Sequence, residues 1–156
     1  MLVRLLHALW HSREHHAALT RWADDMELGW RCPNDGATED AVRGLEQALG
    51  AVIPDACKRF LRENDGGEPA DNEFPVGTTN DSGVNAFLSI REIASERDEL
   101  ASRLPPQMLP IALAEGGNLV LLHLGDGSVH FWDHEYEQSL ALAQTFDEFI
   151  GGLRPF

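Results

Sequence analysis

The chain has almost no lysine. Lys58 stands alone beside eleven arginines, and 26 acidic residues outnumber the 12 basic ones to leave a formal charge of −14. This shortage of positive charge excludes the usual electrostatic footprint for a nucleic acid or an anionic membrane surface. Cysteine is scarce as well: Cys32 and Cys57 are the two in the chain, and no Cys-x-x-Cys occurs. That count excludes a disulfide framework and fits two reduced thiols in a cytoplasmic protein. Long apolar runs are missing. Leu2–Trp10 is interrupted by Arg4 and His7, is too short to span a bilayer, and has no small-residue cleavage site before Arg13-Glu14. The expectation is a cytoplasmic protein without a membrane segment or export signal.

What is present suffices for a core. At 156 residues and 43% apolar content, one folded unit needing neither metal nor cofactor is expected. The organising stretch is Leu109–Glu135. Its apolar runs Leu109–Ala114, Leu119–Leu124 and Val129–Trp132 are separated by Glu115-Gly116-Gly117-Asn118 and Gly125-Asp126-Gly127-Ser128. Glycine-rich breaks between such runs predict an antiparallel meander. Alternation places Val120, Leu122 and Leu124 on one face and Leu119, Leu121 and His123 on the other, so both faces of a central strand should be covered.

Helical signals flank the meander. Leu2–Leu28 lacks glycine and proline and repeats apolar residues at helical spacing. Gly29–Gly36 reads as a loop. Thr38 is a suitable N-cap for a helix over Glu39–Leu49, stopped by Gly50. Pro54 is placed to open a second helix running to about Asn64 and burying Cys57, Phe60 and Leu61. The stretch Asn64–Asn85 is polar and glycine-rich, with one short run at Phe74–Val76. Phe87–Ile90 reads as a strand leading to a helix over Arg91–Arg103. The run Leu140–Ala143 precedes a last helix with Phe146, Phe149, Ile150 and Leu153, for which Thr145-x-x-Glu148 forms a capping box. The order is α+β.

These elements carry short motifs in a fixed sequence: Leu45–Gly50, Ile53-Pro54-Asp55, Phe60-Leu61 and Asn64-Asp65-Gly66-Gly67. They continue with Pro110-Ile111-Ala112, Gly116-Gly117-Asn118, Val129–Glu135 and Phe146–Ile150. Together they resemble the SMI1/KNR4 family, or SUKH superfamily. Asp65, inside the family's Asn-Gly-Gly turn, and Thr145, in place of its serine, are departures. The resemblance covers about Thr38–Phe156, dividing the chain into an N-terminal helical extension (1–35) and an SMI1/KNR4-like domain (36–156). It implies a curved, mostly antiparallel sheet flanked by helices and no catalytic residue. It also implies a protein-binding role, in bacteria commonly as an immunity protein that neutralises a toxin, often a nuclease. Fungal relatives serve as regulatory scaffolds.

Candidate chemistry is weak beside this. His11-Ser12-Arg13-Glu14-His15 has the His-x-x-Glu-His spacing of one zinc-peptidase class, and His7, His11 and His15 repeat every four residues. A catalytic zinc needs three ligands and a cleft, so a solvated helix face is the preferred reading and no metal is expected. Asp133-His134-Glu135 leaves a strand with side chains on different sides, a geometry suited to holding a turn by side-chain-to-backbone bonds. Ser128 and Ser139 lack a nucleophile elbow, Cys57 is expected to be buried and inert, and the chain is read as a non-enzyme.

Binding is the stronger candidate. Glu63, Asp65, Glu68, Asp71, Glu73 and Asp81 place six carboxylates in one glycine-rich segment. The plain reading is a solvated loop; the sharper one is an acidic docking face for a basic toxin domain, with Trp132 and Tyr136 as aromatic anchors. A second reading, self-association through Met1–Leu28 with Trp10 and Trp22 at a homodimer contact, belongs to a scaffold or regulatory protein.

Overall fold

A computed structural model describes residues 29–156. The Leu2–Leu28 helix, the histidine patch and the Trp10/Trp22 contact lie outside the described residues.

The chain runs β1 (Trp30–Pro33), α1 (Glu39–Leu49), α2 (Asp55–Glu63), β2 (Gly67–Pro69), β3 (Glu73–Val76), β4 (Asn80–Phe87) and α3 (Ile90–Glu99). Then follow β5 (Met108–Ala114), a single 3-10 turn (Glu115–Gly117), β6 (Leu119–His123), β7 (Val129–Asp133), β8 (Gln138–Ala143) and α4 (Phe146–Gly151). Among the described residues, eight strands form one antiparallel sheet in the order β1-β2-β4-β5-β6-β7-β8, with β3 paired to β4. The α+β architecture is that expected.

Local signals set the first helices. Thr38 Oγ1 accepts the Ala41 N–H at 3.2 Å, and Gly50 ends α1 in the left-handed region at φ 62°. Pro54 precedes α2 as its N-cap instead of opening it, a shift of one residue. The side chains of α2 that were expected to be buried are buried: Cys57, Phe60 and Leu61. Phe60 is the hub of an aromatic cluster, with ring centroids 4.8 Å from Phe87, 5.2 Å from Phe146 and 5.6 Å from Trp30. Edge and tilted geometries of this kind add to the apolar area buried.

The meander alternates as read. Val120 and Leu122 enter the main core with Ile53, Phe87 and Phe146, whereas Leu119, Leu121 and Trp132 pack on the opposite face under Leu100, Leu104 and Met108. Leu100 and Leu104 of that second layer come from the segment just after α3, and Met108 from the start of β5. The helix stops at Glu99, not Arg103. Arg103 instead reaches the far side, donating from Nη2 to the His134 carbonyl at 2.9 Å and from Nε to Glu137 at 2.6 Å.

Three further expectations are corrected. Gly29–Gly36 is not all loop, because Trp30–Pro33 pairs with Gly67–Pro69 and becomes a border strand of the sheet. The polar stretch after Asn64 holds β2, the β3–β4 hairpin and most of β4, so Phe87 ends a strand instead of beginning one. Its polar residues fit because Asn80 and Asp81 face solvent, while Ser82, Gly83 and Val84 enter the buried part. Finally, Thr145 Oγ1 accepts the Glu148 N–H at 3.1 Å, but Glu148 bonds the Gln144 N–H at 2.9 Å, so the capping box closes one residue early. The complete reciprocal box is at Ser89 and Glu92, starting α3.

Candidate protein-binding surface

The six carboxylates separate into two groups. Glu63 is the last residue of α2, Asp65 lies in the turn after it, and Glu68 lies on β2 opposite Cys32. Asp71 follows, just before the Asn72 N–H that bonds the Arg154 carbonyl at 3.0 Å. Asp35 joins this rim from outside the segment: its carbonyl accepts the Asp65 N–H at 3.1 Å. Glu63 sits at the negative end of the helix dipole, where another negative charge is unfavourable. Partial desolvation pushes its carboxyl above the usual range, with Arg59 pulling the other way. Among the described residues, Asp35, Glu63, Glu68 and Asp71 make no ion pair within 4.0 Å.

Asp65, Glu73 and Asp81 have internal partners. Asp65 Oδ1 accepts the Ile90 N–H at 2.7 Å and so caps the start of α3. Arg154 Nη2 contacts Glu73 at 3.2 Å and Asp81 at 2.9 Å, tying together the two strands of the β3–β4 hairpin. Arg154 and Asp35 were not singled out in the sequence; both act from far along the chain, and nothing local marks them.

The two aromatic candidates differ in placement. Trp132 is 2% exposed and packed on the second face, whereas Tyr136 is 71% exposed in the β7–β8 turn. That turn is held as expected: Asp133 Oδ1 accepts the N–H groups of Glu135 and Tyr136 at 2.9 and 3.1 Å. Asn118 Oδ1 accepts the His134 N–H at 3.1 Å and lies 2.9 Å from its Nδ1, locking the two adjacent turns together.

A serine–histidine contact not anticipated from the sequence occurs in the β6–β7 turn. Ser128 Oγ lies 2.6 Å from Asp126 Oδ1 and 2.8 Å from His130 Nε2. An ionised Asp126 only accepts, so the hydroxyl proton goes to it and Nε2–H of the imidazole donates to Ser128. A nucleophilic serine needs the reverse, an imidazole accepting from the hydroxyl and oriented by the acid. The bonds from Ser128 hold Asp126 below the usual carboxylate range. Cys57 is buried, and desolvation pushes its thiol up to about 12. Among the described residues no set of three or more His, Cys, Asp or Glu side chains is placed to hold a metal ion, and no helix is long and apolar enough to cross a membrane.

The comparisons with known proteins agree with the fold. The model of the SMI1 / KNR4 family (SUKH-1) matches residues 36–152. The SPbeta prophage-derived uncharacterized protein YokK of Bacillus subtilis (strain 168) is 23% identical over 142 residues, covering 74% of this chain and 74% of that protein.

Proposed function

This chain belongs to the SMI1/KNR4 family (SUKH-1), and we propose on that premise that it is a bacterial immunity protein. In this reading it is not an enzyme and acts in the cytoplasm by stoichiometric binding of a basic toxin domain, a nuclease being the best fit. The observation that carries the reading is the run of carboxylates Glu63, Glu68 and Asp71, the first two exposed and the third half-buried, with the exposed Asp35 on the loop before α1; among the described residues none of them makes an ion pair. Carboxylates that make no ion pair leave this part of the surface negative, which suits a cationic partner. Docking there would cover a nucleic-acid cleft and gain a steered association rate. Tyr136 adds an exposed aromatic on another turn.

Co-expression with a candidate toxin domain from its own locus tests the reading by cell survival and co-purification. Rescue with a one-to-one complex is the expected result. Loss of rescue on changing Glu63, Glu68 and Asp71 together to lysine would place the contact on this rim. A folded chain that neither rescues nor binds would remove the immunity reading. The scaffold alternative would then be examined by light scattering of the full chain beside a truncation starting near Asn34.

A further inference from the structure

The strands bordering the sheet are unequally protected. β1 is four residues long, carries Arg31 and ends on Pro33. β3 has Pro75 in its middle, and Arg154 occupies its outer side through bonds of 2.9 Å to the Glu73 carbonyl and N–H. Charge, proline and a covering segment are the devices that prevent stray strand pairing.

β8 carries neither charge nor proline along Gln138-Ser139-Leu140-Ala141. This stretch pairs regularly with β7, from Asp133↔Gln138 to His130↔Ala141, before a bulge at Leu142. Among the described residues, no strand hydrogen-bonds to its other side; β3 packs near β8, and the Leu140 side chain lies beside Gly77 of the β3–β4 turn. All four residues are exposed. An edge strand in this state presents alternate N–H and C=O groups as a template for one more strand.

The surroundings select the occupant. Leu140 is 44% exposed and lies four residues from the exposed Tyr136. Glu135 and Glu137 border the start of β8, and Asp147 and Glu148 follow its end. Arg103 pairs with Glu137 at 2.6 Å and Arg59 with Asp147 at 3.1 Å, which leaves Glu135 and Glu148 without an ion pair among the described residues. A second copy would bring the same carboxylates and a further −14 charge. A strand with an apolar centre and lysine or arginine on either side complements both the edge and its ends.

We propose that Gln138–Ala141 is a strand-addition site for an extended basic segment of a protein partner. The proposal deepens the immunity reading and takes the partner's positive charge from it. The test is an amide NMR titration of the isotope-labelled full chain with a synthetic peptide alternating lysine and valine, against a glutamate–valine control. Shifts and slowed exchange centred on Gln138–Ala141 with the basic peptide are expected. Leu140→Lys should weaken binding by about tenfold, while Leu140→Val retains it, both with unchanged thermal unfolding. Unshifted β8 amides at millimolar peptide, equal response to the acidic control, or self-pairing of the chain at β8 would overturn the proposal. Rescue from toxin with an unresponsive edge sinks the edge site alone; a responsive edge without rescue sinks the immunity reading alone.

Discussion

The carboxylate of Asp65 accepts the backbone N–H of Ile90 at 2.7 Å, joining the turn after α2 to the first residue of α3. Ser89 and Glu92 already satisfy two other donors of that helix end, and Asp65 satisfies a third. Asp65→Ala should therefore cost about 1 kcal/mol, as loss of a capping side chain does. Asp65→Asn, which keeps the acceptor, should cost much less. Urea unfolding of the two variants checks this; equal stability would show that the bond contributes nothing.

Gly36 is the most constrained glycine in the loop before α1. An added Cβ would lie 1.8 Å from the Arg62 carbonyl oxygen and 2.6 Å from its carbon, both backbone atoms of α2. The next residue is fixed there too, with Ala37 N–H bonded to the Leu61 carbonyl at 2.8 Å. Gly36→Ala must push the loop off the helix, at a cost of about 3 kcal/mol. A thermal midpoint equal to that of the parent would refute the contact.

Glu46 performs two tasks. Its Oε1 accepts the N–H of Ile53, a residue with 0% exposure, at 2.9 Å, and lies 3.3 Å from Lys58 Nζ. Glu46→Ala leaves a buried donor unsatisfied and should cost about 2 kcal/mol. Glu46→Gln keeps an acceptor for Ile53 and loses only the ion pair, roughly 0.5 kcal/mol. The difference between the variants, read by denaturant unfolding, separates the roles.

His130 makes stability depend on pH. Burial of its imidazole holds the pKa below the ordinary 6.5; Asp126 pulls upward and His123 downward. The folded chain then binds fewer protons than the unfolded chain just below that value. Stability is present above it and is lost as pH falls through the window beneath it. His130→Gln, which can still donate to Ser128, should flatten the profile in the window just below the ordinary imidazole value. An unchanged slope would show that another group titrates there.

The legible parts of this fold are those written in adjacent residues. Thr38, Gly50 and Pro54 mark helix ends within one position, and the alternation from Leu119 to His123 identifies both sheet faces. β4 escaped the reading because Asn80-Asp81-Ser82-Gly83 has neither strand propensity nor apolar alternation; pairing with β3 and β5 on either side imposes the conformation. The candidate surface divides in the same way. The sequence clusters six carboxylates, but whether each is available depends on Ile90 and Arg154, 25 and 73 or more residues away. Long-range pairing of that kind has no local signature.

Tyr136 and Trp132 separate binding from folding. Trp132 lies across from Leu119 on β6 and beneath Leu100, Leu104 and Met108, so Trp132→Ala opens a cavity between the sheet and the α3 segment. A loss of about 4 kcal/mol is expected from a buried tryptophan of this kind. Trp132→Phe should recover a large part of it. Tyr136 has no comparable packing, and its backbone is held by Asp133, so Tyr136→Ala should shift stability by no more than about 0.5 kcal/mol. Its effect should appear instead in the complex. An exposed aromatic that anchors a partner costs about 2 kcal/mol or more when truncated, about thirtyfold in affinity. Paired unfolding curves and titration calorimetry against the toxin domain measure both quantities. A Tyr136→Ala variant as stable as its parent and as tightly bound would exclude this turn from the contact and leave the acidic rim and the β8 edge to account for it.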